Sequence, residues 1–195
     1  RTVTTATAEA MKGILFDVVV APGYDSKALD ILRKRRRTRL LQADLGMEDG
    51  IKLDIRSVSG GALLQTPDDI TEDPTDWKIV TKREPTETEM KDLTFAWQAS
   101  RHIKSNTVVL ARYNSIIGMG AGQPNRVTSI HLALRIAGKE ANGSVLASDA
   151  FMPFADNIHL AAEGGITAVV QPGGSIRDEE VVDAANEARM AMVFT

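Results

Sequence analysis

The sequence predicts an α/β fold, a three-layer α-β-α sandwich, and three observations carry that expectation. Short apolar runs such as Leu15–Ala21 and Ile166–Gln171 alternate with amphipathic stretches along the chain. Leu15–Ala21 is apolar almost throughout, as expected of a strand covered on both faces. Thr86–His102 opens on a Thr-x-x-Glu capping box and carries a single apolar face, which marks a helix.

Taken in order, Thr4–Lys12 is expected as a helix closed by Gly13. Leu15–Ala21 follows as a buried parallel strand carrying one carboxylate, Asp17, and stopped by Pro22-Gly23. Asp25–Arg36 reads as a helix with Ala28, Leu29, Ile31 and Leu32 along its apolar stripe, and Thr38–Gln42 as a short strand. Ile51–Val58 and Gly60–Gln65 are expected as strands, with a bend or bulge at Gly60-Gly61. Thr66–Lys78 is polar, contains Pro67 and Pro74, and is expected as a surface loop. In the helix from Thr86, Met90, Leu93, Ala96 and Trp97 share a face. Thr107–Tyr113 and Ile116–Met119 are expected as a hairpin turning at Asn114-Ser115. Helices are then expected at Asn125–Lys139, Asn157–Glu163 and Asp178–Arg189, and strands at Ser144–Ala147, Ile166–Gln171 and Ala191–Phe194.

Composition narrows the function classes. The 195 residues suffice for one domain, or for a domain and part of another. A net charge of −3 and an aromatic content of 5% argue against nucleic acid as the partner. The absence of cysteine excludes disulfides and thiolate-bound zinc, and fits a reducing, cytoplasmic setting. No stretch approaches the roughly 20 apolar residues of a membrane span. Arg1-Thr-Val-Thr-Thr lacks both a signal-peptide pattern and a starting Met, so a processed start or the middle of a longer chain is expected. His102, His131 and His159 fall on expected helices without H-x-x-x-H spacing, so they are taken as structural or surface residues and no metal site is expected. No G-x-S-x-G elbow is present.

Several stretches carry residues suited to ligand chemistry. The run Arg33-Lys-Arg-Arg-Arg37 is either a phosphate patch or a solvated helix end complementing the dipole. Gly118-Met-Gly-Ala-Gly122 lacks the G-x-G-x-x-G spacing of a dinucleotide loop. It reads instead as a strand entering a tight turn where the backbone approaches a ligand. Arg126 sits in the first turn of the next helix, where a cation opposes the helix dipole, so it is either a ligand contact or a surface arginine. Asn106, in Lys104-Ser-Asn106, is either a structural cap or a partner for a heterocycle. In Ser148–Asn157, Phe151 and Phe154 are suited to sandwich a planar ring. Asp156 is suited to ring nitrogens, to capping the next helix, or to both. Pro172-Gly-Gly-Ser175 ends the following strand, and its turn is expected to offer backbone N–H groups.

Four segments together resemble a known family. They are Val18–Tyr24; Lys104-Ser-Asn106 with Gly118-Met-Gly-Ala-Gly-Gln123 and Arg126; Gly143–Asp156; and Gly164–Asp178. In order and spacing they are similar to the C-terminal part of the formyltransferase domain in the bifunctional purine biosynthesis family. That family joins AICAR transformylase to IMP cyclohydrolase, and the resemblance covers essentially the whole chain.

The resemblance implies transfer of a formyl group from 10-formyltetrahydrofolate, as co-substrate, to the 5-amino group of AICAR, with no metal required. By the family pattern Asp17, Asn106, Arg126 and Phe151 bind AICAR, while Val127, Asp156, Ser175 and Ile176 line the folate pocket. It implies two zinc-free, cytidine-deaminase-like units, with residues 1–58 the end of the first and 59–195 most of the second, and no cyclohydrolase domain is expected within these residues. It also implies a homodimer in the full-length protein, with neither nucleic acid nor membrane as partner. The family's catalytic Lys-His pair is expected upstream of Arg1, so none of these residues is expected to be catalytic and the isolated chain is expected to turn over little. The family pattern places a basic, aromatic tail after Met-Val-Phe-Thr, beyond these 195 residues, and the stretch between Ile136 and Gly143 is shorter than in many members. Met152 and Ala155 stand where an aromatic and an arginine are common, a change expected to bear on folate contacts. Two alternatives remain at this stage: a binding module or pseudoenzyme retaining both pockets, and a nucleotide-binding oxidoreductase built on Gly118–Gly122.

Overall fold

A computed structural model describes residues 1–44, 53–67 and 72–195. Ile51 and Lys52 of one expected strand, and residues 68–71 of the expected loop, lie outside the described residues. The chain forms two compact units, Arg1–Asp69 and Ile70–Thr195.

In the first unit, helix α1 (Thr5–Ala10) is capped by Thr4, whose hydroxyl accepts the Thr7 N–H at 3.2 Å. Strand β1 (Val18–Ala21) pairs in parallel with β2 (Arg39–Gln42) through the crossover helix α2 (Ser26–Leu32). Val3, Ala8, Ala21, Ala28 and Leu32 form the small core. The Tyr24 hydroxyl lies 2.8 Å from the Val19 carbonyl and 3.0 Å from that of Leu41, tying the two strands together. Strands β3 (Asp54–Val58) and β4 (Gly61–Gln65) form an exposed hairpin around Gly60, whose φ is +82°.

Burial of β1 on both faces is not observed. Val18 and Val20 are exposed, Val19 is half-buried and Ala21 is buried, and Leu15 and Asp17 precede the strand in the open. The reason is that a two-stranded sheet with a core on one side shields only alternate side chains. Helix α2 is also shorter than expected, ending before the basic run. There Arg35 folds back, its Nη1 donating to the Ile14 carbonyl at 2.7 Å and its Nη2 to that of Met11.

The second unit is built on a six-stranded mixed sheet, β5-β10-β9-β8-β6-β7. Its strands are β5 (Lys78–Ile79), β6 (Val108–Arg112), β7 (Ser115–Gly120), β8 (Val145–Ser148), β9 (Ala168–Gln171) and β10 (Ala191–Phe194). Strands β8, β9 and β10 run parallel, whereas β6 is antiparallel to β8 and to β7, and β5 is antiparallel to β10. Helix α3 (Glu87–Ser100) covers one face, where Leu93 and Ala96 meet Val109, Ala111, Val145, Ala147 and Val170. Helices α4 (Arg126–Ala137), α5 (Asp156–Glu163) and α6 (Asp178–Glu187) cover the other, where Ile130, Ile158 and Val181 meet Val108, Leu110, Leu146 and Val169. Successive strand residues therefore enter opposite cores, which is why β8 and β9 are buried throughout and apolar up to their last residues, Ser148 and Gln171. Each fully buried Leu, Ile or Met contributes roughly 1.5–3 kcal/mol relative to exposure.

Local chemistry accounts for the elements here. The capping box forms as expected, with Thr86 Oγ1 accepting the Glu89 N–H at 3.2 Å and Glu89 Oε2 accepting the Thr86 N–H at 2.8 Å. The hairpin turns at Tyr113-Asn114 rather than Asn114-Ser115, with φ of +54° at both residues. Their N–H groups donate to the buried Asp92 carboxylate of α3 at 3.0 and 2.7 Å, a partner 21 or more positions away that a local turn pattern does not reveal. Strand β5 starts on Lys78, the last residue of the expected loop, and runs one residue past it. Two residues long, it is shaped by pairing with β10 instead of by any apolar period of its own.

Candidate functional site

The sheet topology brings four separate segments to one edge. The carboxyl ends of β8 and β9 lead into Asp149–Asp156 and Pro172–Asp178. Because β6 runs against β8, pairing Val108 with Ser148, the residues just before β6 arrive at the same edge. Strand β7 ends there too, pairing Gly120 with Val108, and α4 starts shortly after it. Ligands of open α/β sheets bind beyond the carboxyl ends of parallel strands.

Arg126 is the centre of this edge. The first-turn arginine that the helix dipole disfavours is a buried residue, 8% exposed, and so neither a surface side chain nor an unpaired charge. Its Nη1 donates to Asp149 Oδ1 at 2.6 Å and lies 3.4 Å from the Thr107 carbonyl, while Nη2 donates to Asn106 Oδ1 at 3.0 Å. Asn106 Nδ2 donates in turn to the Gln123 carbonyl at 2.9 Å, and the Asn106 carbonyl accepts from Ser129 Oγ at 3.0 Å. Both polar atoms of the Asn106 side chain are therefore held in hydrogen bonds within the protein. Asp149 also accepts the Thr107 N–H at 3.0 Å. Burial pushes its pKa up, but the Ser105 hydroxyl, the Thr107 N–H and the Arg126 guanidinium outweigh this and hold it below the usual carboxylate range.

Asp149 is the member of this cluster that residue patterns did not single out. The signal was present in two halves: an arginine placed against a helix dipole, and a carboxylate immediately after a buried strand. The sequence does not say that β6 threads between them.

The glycines of Gly118–Gly122 do something other than approach a ligand. A Cβ on Gly118 would lie 2.3 Å from the Ala133 carbonyl oxygen, and one on Gly120 would lie 2.1 Å from that of Ser129. Their bareness lets α4 pack directly on β7, which removes the basis for a dinucleotide loop. Gly122, with φ of +65°, makes the turn itself.

Phe151 and Phe154 stand exposed past the end of β8, and the Arg177 guanidinium lies 4.7 Å from the Phe154 ring centroid. Between them Met152 is wholly buried in the core, its N–H donating to Gln171 Oε1 at 2.6 Å, so its side chain does not reach a ligand at this edge. Asp156 is exposed at the start of α5 and does not cap it, since Ala155 holds the cap position without a side-chain bond. Its carboxylate instead accepts Asn157 Nδ2 at 2.8 Å. Val127 is half-buried behind Arg126, Ser175 is half-buried, and Ile176 is fully exposed. The glycine-rich turn does not offer all its N–H groups to solvent. Those of Gly174 and Ser175 donate to the Asp178 carboxylate at 2.7 and 3.1 Å.

The structure thus joins Asn106 and Arg126 by direct hydrogen bonding and places Val127, Phe151, Asp156, Ser175 and Ile176 on segments leaving the same edge. Asp17 belongs to the first unit, where it is an exposed residue just ahead of β1 whose carbonyl accepts the Arg39 N–H at 2.9 Å. Among the described residues no group of His, Asp and Glu is arranged to hold a metal ion, and no helix is long and apolar enough to cross a membrane.

The family model described as AICARFT/IMPCHase bienzyme matches residues 1–136. The chain belongs to the AICARFT/IMPCHase bienzyme family. It is 48% identical over its whole length to the bifunctional purine biosynthesis protein purH of Dictyostelium discoideum. It is 44% identical, again over its whole length, to PurH of Streptococcus pneumoniae. It spans 37% and 38% of those two relatives' own lengths. Among solved structures, Acinetobacter baumannii RibD overlaps 53% of the chain and 34% of its own, at 18% identity and a TM-score of 0.38. The stretch matched by the AICARFT/IMPCHase model contains Asp17, Asn106, Arg126 and Val127, while Phe151, Asp156, Ser175 and Ile176 lie within the alignment to the PurH relatives.

Proposed function

We propose that this chain carries the ligand-binding and aligning part of an AICAR formyltransferase, the activity that moves a formyl group from 10-formyltetrahydrofolate to AICAR in purine (IMP) biosynthesis. The meeting of Arg126 with Asn106 and Asp149, two residues before Phe151 at the carboxyl edge, is the observation that carries the proposal.

The chemistry asks for such a surface. The lone pair on the 5-amino group of AICAR is delocalised into the imidazole and its carboxamide, so the amine is a poor nucleophile. Transfer then depends on close alignment, removal of a proton and stabilisation of the developing oxyanion. Asn106 helps hold Arg126 in place, and the guanidinium keeps N–H donors of fixed direction. Phe151, 42% exposed, offers a ring to the planar imidazole. Asp156 suits the N–H groups of a second heterocycle, and with Val127, Ser175 and Ile176 it forms the folate side of the proposal. Asp17 enters from the resemblance alone. The same family pattern gives proton transfer to a Lys-His pair and to no residue named here. A cytoplasmic homodimer of two zinc-free, cytidine-deaminase-like units, the first ending near Val58, completes the proposal.

Calorimetric titration with AICAR and with a folate analogue, each alone, tests it. Arg126→Ala is expected to lose AICAR and keep the folate, and Asp156→Ala to do the reverse. Failure of the unaltered protein to bind AICAR, or equal loss of both ligands in both variants, would overturn the proposal.

A further inference from the structure

Arg126 reaches the candidate site with its charge already answered. Its side chain is 7% exposed and that of Asp149 16%, and their nearest atoms are 2.6 Å apart, so the two form a largely desolvated, neutral pair. A guanidinium has five N–H groups. The contacts to Asp149, Thr107 and Asn106 use three, and they do not use Nε–H or the second Nη2–H. Asp149 is itself fixed by the Thr107 N–H and the Ser105 hydroxyl, so it cannot swing away when a ligand arrives.

Such a pair treats ligands differently from a lone arginine. An anion meeting a lone buried guanidinium is strongly attracted. Meeting an Arg–Asp pair, it gains little net Coulomb energy and still loses its water. A neutral carbonyl needs only a directed N–H and loses far less on leaving water. Asn106 strengthens the bias, because its Oδ1 is committed to Arg126 and its Nδ2 to Gln123.

We infer that Asp149 sets the charge preference of this site: by neutralising Arg126 it makes the pocket select an imidazole ribonucleotide bearing an uncharged carboxamide over the counterpart bearing a carboxylate. Asp149 acts through Arg126 and is a positioning residue. The inference rests on the AICAR reading above and adds a specificity determinant to it.

The test is a pair of titrations, with AICAR and with the same ribonucleotide carrying a carboxylate in place of the carboxamide, on the unaltered protein, Asp149→Asn and Asp149→Glu. The unaltered protein is expected to prefer the carboxamide at least tenfold. Asp149→Asn, which leaves Arg126 with an uncompensated charge, is expected to shift that ratio at least tenfold toward the carboxylate. Asp149→Glu, which keeps the charge, is expected to retain the preference. If Asp149→Asn weakens both ligands by the same factor, Asp149 is merely structural and the inference is overturned while the AICAR reading stands. Parity of the two ligands on the unaltered protein overturns it as well, and decides the matter should Asp149→Asn fail to fold. Absence of AICAR binding to the unaltered protein overturns both.

Discussion

Two arginines stand at opposite edges of the same sheet. Arg126 lies at the carboxyl edge, and Arg83 at the amino edge, where its Nε donates to the Arg189 carbonyl at 2.9 Å just before β10 and its Nη2 to that of Thr167 just before β9. Both pair with a carboxylate, yet they spend their donors differently. Arg83 forms a two-pronged fork with Glu89, 2.9 Å on each prong, and gives its other bonds to backbone carbonyls. Arg126 gives one nitrogen to Asp149 and, at 3.4 Å, to the Thr107 carbonyl, and the other to the side chain of Asn106. Arg83 therefore ties strand starts to the cap of α3. Arg126 holds two loop side chains, Asn106 just before β6 and Asp149 just after β8, at the edge where ligands of such sheets bind.

The largest way to break this contrast is to move the helix that carries Arg126. In Gly120→Ala the new Cβ would sit 2.1 Å from the Ser129 carbonyl oxygen and 2.5 Å from its Cα, both backbone atoms that cannot rotate aside. Helix α4 must shift off β7, at a cost of about 3 kcal/mol or more. Denaturant unfolding is expected to show that loss, and the molecules that still fold are expected to bind AICAR more weakly, since Ser129 lies one turn along α4 from Arg126. Full stability in this variant would mean that α4 does not pack as closely as described.

The same glycines show where sequence reasoning stops. The alternation of strands and helices, the Thr86–Glu89 box and the terminal strand at Ala191–Phe194 were legible because local propensity and burial agree there. The turn sits at Tyr113-Asn114, one residue before the position its local pattern suggests, because the buried Asp92, on another element, selects it. Gly118 and Gly120 point equally to a ligand or to a packed helix, because a bare residue looks alike from sequence whether a helix or a substrate fills the space. Arg126, set against a helix dipole, and Asn106, ahead of a strand, are legible as candidates from the residues and again from the family resemblance. Their partner Asp149 is not, since only the antiparallel return of β6 beside β8 brings it to them.

A smaller effect is expected from Arg83→Met, which keeps the stem and removes the fork. With the side chain a third exposed, the loss falls below that of a fully buried pair, at about 2 kcal/mol. Calorimetric titration of the folded variant is expected to return unchanged AICAR affinity, whereas Arg126→Ala removes it. Equal loss of affinity in both would erase the distinction between a fold-holding and a ligand-facing arginine.

The smallest expected effect is a pH signature that only the amino edge carries in readable form. Burial pushes the Glu89 carboxyl up, but the Arg83 fork, Thr167 and the Thr86 N–H outweigh it and lower the pKa from 4.5 to about 2. A group whose pKa is lower in the folded chain binds fewer protons there than when unfolded. Its stabilisation is therefore complete above the unfolded value of 4.5 and is lost as pH falls through about 2. Solvent screening at this partly open site limits the contribution to about 1 kcal/mol. Urea midpoints measured between those two pH values should fall more steeply for the unaltered protein than for Arg83→Met, in which Glu89 has lost its main partner. Asp149 shifts in the same direction and remains in both proteins, so its share cancels in the difference. Parallel pH curves would mean that the fork contributes nothing beyond geometry, and that the two arginines differ in position alone.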